Sequence, residues 1–107
     1  MKLILWALLT AAIVVISGCV ASNTNVPGLT DAVSRCQQKC LDLVTTRADL
    51  SKGPCLDNNI TAGWVCDMAH DPRRPVDDDP SNQCPAFGTT ARHFVEVNEN
   101  CRIIRAV

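Results

Sequence analysis

The chain has 107 residues, 10 Lys and Arg against 11 Asp and Glu for a net charge of -1, seven Cys, two Trp, two Phe and no Tyr. This length holds one small domain and leaves no room for a multidomain enzyme. The near-neutral balance contains no basic run, and Phe87 and Phe94 stand apart instead of forming a base-stacking series, so composition argues against a nucleic-acid partner.

Lys2 gives a short positive start, Leu3 to Ile16 is apolar but for Thr10, and small Ser17 and Gly18 precede Cys19. That order predicts an export signal over residues 1–18. The tetrad Ile16-Ser17-Gly18-Cys19 resembles the lipobox of prokaryotic lipoproteins, and the resemblance implies cleavage before Cys19 and lipid attachment at its sulfur. One alternative is an uncleaved signal anchor, because Leu3 to Ala21, at about 1.5 Å per residue, nearly spans a hydrocarbon core of about 30 Å. The other is an ordinary cleaved secretory peptide, which would leave an odd thiol in an oxidising compartment. Acylation of Cys19 removes that thiol, so the preferred expectation is a lipid anchor on the extracytoplasmic face of the cell membrane.

With Cys19 assigned to lipid, Cys36, Cys40, Cys55, Cys66, Cys84 and Cys101 form an even set suited to three disulfides. A domain with so few aromatic anchors buries little apolar surface, and cross-links supply the deficit. Residues 19–29 read as the lipidated Cys and a polar tether, and residues 30–107 as the domain. Thr30 is the expected N-cap of a helix over roughly Asp31 to Ala48, with Asp31 in the first turn. Leu29, Val33, Cys36, Cys40, Leu43 and Arg47 recur at steps of 4, 3, 4, 3 and 4, with Val44 widening the stripe, and Lys52-Gly53-Pro54 lies beyond its end. Cys36 and Cys40 sit one turn apart, about 5 to 6 Å between Cβ atoms against the roughly 3.8 Å of a disulfide, so each should bond a different segment. In outline this resembles the cysteine-stabilised helix-and-sheet scaffold of toxins and defensins, although the C-x-C of their last strand is absent.

Beyond Ile60 the period changes. Trp64, Cys66, Met68 and His70 alternate onto one face, His93, Val95 and Val97 likewise, and Ile103-Ile104 forms a third short run. The connection Asp71 to Arg92 carries four of the six Pro and the run Asp77-Asp78-Asp79, and a long loop in a small domain is a common seat of function. The stretches Gly63-Trp64-Val65-Cys66-Asp67, Ala69-His70-Asp71-Pro72-Arg73, Asn82-Gln83-Cys84 and His93-Phe94-Val95-Glu96-Val97 are similar to a set of uncharacterised small cysteine-rich exported proteins of archaea. That resemblance implies a stable exported domain and supplies no activity.

If the two strand-like runs pair antiparallel with His70 opposite His93, Met68 faces Val95, Cys66 faces Val97 and Trp64 faces Glu99. Both imidazoles then meet at the loop, where Asp71, Asp77, Asp78 or Asp79 adds a carboxylate, the donor set of a divalent metal. The competing reading is two half-exposed His engaged in hydrogen bonds. Six Cys without a C-x2-C knuckle are disulfides in preference to metal ligands, and no C-x-x-C supports a redox role. A Cys-His hydrolase through Cys84 or Cys66 with His93 is a further alternative, and His93-Phe94-Val95-Glu96-Val97 resembles the His strand of transglutaminase-like enzymes, for whose fold the chain is too short. Asp77-Asp78-Asp79-Pro80-Ser81 lacks the Gly and distal Glu of a calcium loop and reads as a solvated acidic turn, paired with Arg73 and Arg74. Asn59-Ile60-Thr61 is a glycosylation sequon, and Arg102 and Arg105 read as surface charge.

The expected fold class is therefore α+β: a small disulfide-rich domain with one amphipathic helix, a two- or three-stranded antiparallel sheet and a long loop. The expected function is a membrane-tethered, non-enzymatic protein that meets a small ligand or protein partner through that loop. No cofactor is expected, with a divalent metal on His70 and His93 as the alternative.

Overall fold

The computed structural model describes residues 26–107. The expected export signal, Cys19 and the polar stretch through Asn25 lie outside the described residues. Helix α1 runs Leu29–Thr45. It is capped by Gly28 and not by Thr30, which lies inside the first turn. Gly28 adopts φ +81°, a conformation other residues rarely take, and a Cβ there would stand 3.1 Å from Trp64 Nε1. That indole N–H donates to the Pro27 carbonyl at 2.9 Å, and Val26 and Leu29 pack on the core. The end of the expected tether thus belongs to the fold, and the domain begins before residue 30.

Ala32, Cys36 and Cys40 are the fully buried stripe of α1, flanked by half-buried Leu29, Val33 and Leu43. Val44 does not widen it: Val44 is 48% exposed, and Arg47 lies past the helix with φ +57°. Among the described residues no helix is long and apolar enough to cross a membrane.

Four strands follow, β1 (Cys55–Thr61), β2 (Trp64–Met68), β3 (His93–Val97) and β4 (Ile103–Ala106), in the spatial order β1-β2-β3-β4. β1 and β2 form an antiparallel hairpin over the two-residue turn Ala62-Gly63, and β3 and β4 are also antiparallel. The central pair corrects the antiparallel expectation: β2 and β3 run parallel, with Trp64 beside His93, Cys66 beside Val95 and Met68 beside Val97. Residues 69–92 form the crossover a parallel pair needs, and they are long enough to return to the start of the sheet. β1 is the strand added to the two or three expected. Its Asp57-Asn58-Asn59 centre has poor strand propensity, and its ladder is broken by two register shifts.

The expected faces hold even though the direction does not. Trp64, Cys66, Met68, Val95 and Val97 pack with Leu56 beneath α1 as one core. Because side chains alternate, the parallel register keeps like faces together just as an antiparallel one of the same parity would. Cys36–Cys66 and Cys40–Cys101 rivet the helix to β2 and to the β3–β4 turn, and Cys55–Cys84 fastens the crossover to β1. Cys36 and Cys40 thus reach separate partners outside the helix.

Candidate binding cleft

The sheet face away from α1 carries Val65 and Asp67 from β2, Phe94 and Glu96 from β3, and Arg105 from β4. The crossover lies across it. Two 3-10 turns, Pro75–Asp78 and Pro80–Asn82, each start on a proline whose fixed φ suits a first helical position. The Asp71-Pro72 peptide is cis. The Cys55–Cys84 bond and a 2.8 Å hydrogen bond from the Ala86 N–H to Asn58 Oδ1 hold the far end of the crossover to β1. Between crossover and sheet lies a cavity of about 120 Å³, lined by Val65, Asp67, Arg73, Gln83, Cys84, Phe87, Phe94, Glu96 and Arg105.

Glu96 is 5% exposed and is clamped by two guanidinium groups, Arg73 at 3.2 Å and Arg105 at 3.6 Å. Arg73 also pairs with Asp78 at 2.9 Å, and Arg105 lies 5.0 Å over the Phe94 ring. Phe87 meets Phe94 edge to face at 5.2 Å while remaining half exposed. This ion-paired ridge separates the first cavity from a second of about 280 Å³ bordered by His70, Asp71, Arg73, Glu96, Ile104 and Arg105.

Asp67 stands beside Glu96 in the parallel register. Its Oδ1 is buried and has no hydrogen-bond partner. Burial pushes its carboxyl up to about 7, with neighbouring Glu96 and Asp77 adding to the shift and the Met68 N–H and Arg73 opposing it. The cleft therefore holds two adjacent carboxyl groups in opposite circumstances, Glu96 paired with two guanidinium groups and Asp67 with one oxygen unpartnered.

The two histidines are not neighbours. His93, at the start of β3, stacks on Trp64 with ring centroids 4.7 Å apart. His70 lies beyond the other end of β2, six residues on, a run of extended chain on the order of 20 Å. The parallel crossover carries each imidazole to the opposite end of the sheet, which removes the geometry on which a His70 and His93 metal centre depended. Among the described residues no cluster of three or more His, Cys, Asp or Glu is placed to hold a metal ion.

His70 is instead tied to Asp77. Its Nδ1–H donates to Asp77 Oδ1 at 2.9 Å, and its backbone N–H donates to Oδ2 at 3.0 Å. The Arg74 N–H adds a third bond at 2.8 Å. Burial alone would raise the Asp77 carboxyl, but these donors outweigh it and hold it below the ordinary carboxylate range. Of the three aspartates, only Asp77 departs from the expected solvated acidic turn; Asp78 and Asp79 are exposed. Asp77 is 3% exposed and structural, Asp78 pairs with Arg73, and Asp79 accepts from the Ser81 N–H and hydroxyl. Asn59, the sequon residue, is exposed on β1.

Sequence reasoning placed the site on the crossover but missed the sheet residues beneath it. Asp67, Glu96 and Arg105 alternate with core positions and so read as solvent-facing polar residues. The available signal was Val65 and Phe94 on the same face, which is too apolar to be left in water. Comparison with protein-family models, curated proteins and solved structures finds no match to this chain.

Proposed function

We propose that this protein is an extracytoplasmic binding module, anchored to the outer face of the cell membrane through lipid on Cys19, that takes a small ligand or a partner's side chain into the cleft between the crossover and the sheet. The disulfides support the compartment, since three closed bridges in so small a domain belong to an oxidising environment, and Cys19 stands outside the paired set. The observation that carries the binding role is Asp67 Oδ1: a buried acceptor left without a donor costs about 1 to 3 kcal/mol, and it is retained here on the wall of a cavity. The clamped Glu96 and the Phe87–Phe94 pair give that cavity a fixed charge pattern and an apolar flank.

The test is titration of the full-length oxidised protein in detergent with small cationic, anionic and neutral organic probes and with inorganic phosphate, followed by NMR. Saturable shifts confined to Val65, Asp67, Phe94 and Glu96 are expected for at least one class. Uniformly unsaturable responses would leave the domain a purely structural one. Intact mass of the membrane fraction tests the anchor: a chain beginning at an acylated Cys19 is expected, and one retaining Met1 to Gly18 would replace it by an uncleaved signal anchor.

A further inference from the structure

We infer that the cleft receives a primary alkylammonium group, with Asp67 as its hydrogen-bonded counter-ion and Phe87 as the apolar flank for its methylene stem. This deepens the binding role proposed above and rests on it. Asp67 Oδ1 lacks a donor, yet both guanidinium groups in the cleft are engaged, Arg73 with Glu96 and Asp78, and Arg105 with Glu96 and the Phe94 ring. No side chain on the lining, the Gln83 amide included, bonds that oxygen, so the donor is assigned to the ligand. Of the ionisable groups on the lining, Arg73 and Arg105 both pair with Glu96, so ionised Asp67 is the carboxylate left without an ion pair, and that local imbalance selects a cation. The space, about 120 Å³, is several times the roughly 10 to 15 Å³ that one water needs, and it admits an ammonium on a short alkyl chain. The face of Phe94 is already covered by Arg105, whereas Phe87 is 47% exposed beside it and offers an open apolar surface.

This arrangement gives binding a pH signature. The groups around Asp67 are Glu96 from β3, Arg73 and Asp77 from the crossover and Arg105 across the cavity from β4, while β1 contributes the non-titrating Cys55–Cys84 bridge. An alkylammonium stays charged to about pH 10, so its affinity follows the ionisation of Asp67. With that carboxyl at about 7, the ionised fraction rises roughly 30-fold between about pH 5.5 and 8.5. An anionic ligand would show the opposite slope.

The experiment titrates the full-length oxidised protein in zwitterionic detergent with n-butylammonium, n-butanol and n-butyrate, reading the Val65 methyl and Phe87 ring resonances. Butylammonium should saturate, bind roughly 30-fold more tightly at about pH 8.5 than at about pH 5.5, and lose at least about tenfold in Asp67→Asn, while Asp31→Asn on the distant helix leaves it unchanged. Equal or tighter binding of butanol or butyrate, or an affinity that falls with rising pH, would overturn the ammonium assignment while leaving the binding role intact. Failure of every probe would remove the binding role itself. The pH series uses the unaltered protein, so the assignment stays open to refutation should Asp67→Asn not fold. N-acetyl-lysine N-methylamide separates the two sources of the group: binding at least as tight as that of butylammonium points to a lysine side chain, and weaker binding to a free amine.

Discussion

Asp77 is the residue on which the crossover turns. Its carboxylate collects the His70 ring, the His70 N–H and the Arg74 N–H, so a single buried side chain fixes where the chain leaves β2 and where the first 3-10 turn begins. Gly53 sits directly against it. With φ +61°, Gly53 has no room for a side chain, since a Cβ would land on Asp77 Oδ1 and stand 3.1 Å from the Met68 carbonyl. Asp77→Ala strands the buried His70 N–H, the partly buried Arg74 N–H and a buried imidazole, for an expected loss of about 3 kcal/mol. Gly53→Ala imposes a strained φ and pushes the carboxylate from its donors, for an expected loss of about 1 to 3 kcal/mol. Because both act on the same hydrogen bonds, the double variant should lose about 1 kcal/mol or more less than the two single losses together. Denaturation midpoints measure this, and strict additivity would show that the two positions are not coupled through the carboxylate.

At the scale of elements, α1 is held by packing and by two covalent ties that differ in span. Cys36–Cys66 closes a separation of 30 residues and Cys40–Cys101 one of 61. In the chain-entropy account these contribute about 3.6 and about 4.3 kcal/mol, so the double Ala variant of the Cys40–Cys101 pair should be the less stable of the two, by roughly half a kcal/mol. Thermal unfolding of each variant checks the order. A reversed order would show that filling the fully buried space around Cys36 and Cys66 matters more than the loop closed. The helix stripe, the separate partners of Cys36 and Cys40 and the inward faces of β2 and β3 were legible in the sequence because each follows from a local period or from Cβ geometry. Strand direction was not, because alternation is blind to polarity and parity fixes only which face is buried. β1 was hidden by Asp57-Asn58-Asn59, whose strand conformation comes from pairing with β2 and from Asn58 pinning the crossover, both long-range contacts. The candidate cleft was legible as a location, the crossover, while its carboxylates were not, since nothing local distinguishes Asp67 from an ordinary solvent-facing strand residue.

Taken as a whole, the molecule joins two layers of opposite character across one sheet: a helix-covered face of apolar groups and disulfides, and a crossover-covered face of ionisable groups. The buried groups through which stability should respond to pH accordingly lie on the second face, while the lowered carboxyls of Asp31 and Asp49 are exposed. Asp77 has its carboxyl lowered in the folded state, so its contribution is present above its unfolded value near 3.8 and is lost as pH falls through the lower folded value. Asp67 has the opposite sign. Its carboxyl is raised to about 7 from 3.8, so between those values the folded state holds a proton that the unfolded chain has released. Each upward step in pH across that window therefore favours unfolding, and above about 7 the loss is complete. The two effects place the stability maximum on the acidic side, near the bottom of the Asp67 window, and not at neutral pH. Melting temperatures of the oxidised protein should decline between about pH 4 and 7 and level off above, whereas Asp67→Asn, which cannot ionise, should hold a flat profile over the same range. Parallel profiles for the two proteins would mean that Asp67 is ionised and satisfied within the fold, and would remove the vacancy for a ligand's donor. An added alkylammonium should offset the decline at the alkaline end, because it binds the folded state in the ionised form that folding alone disfavours.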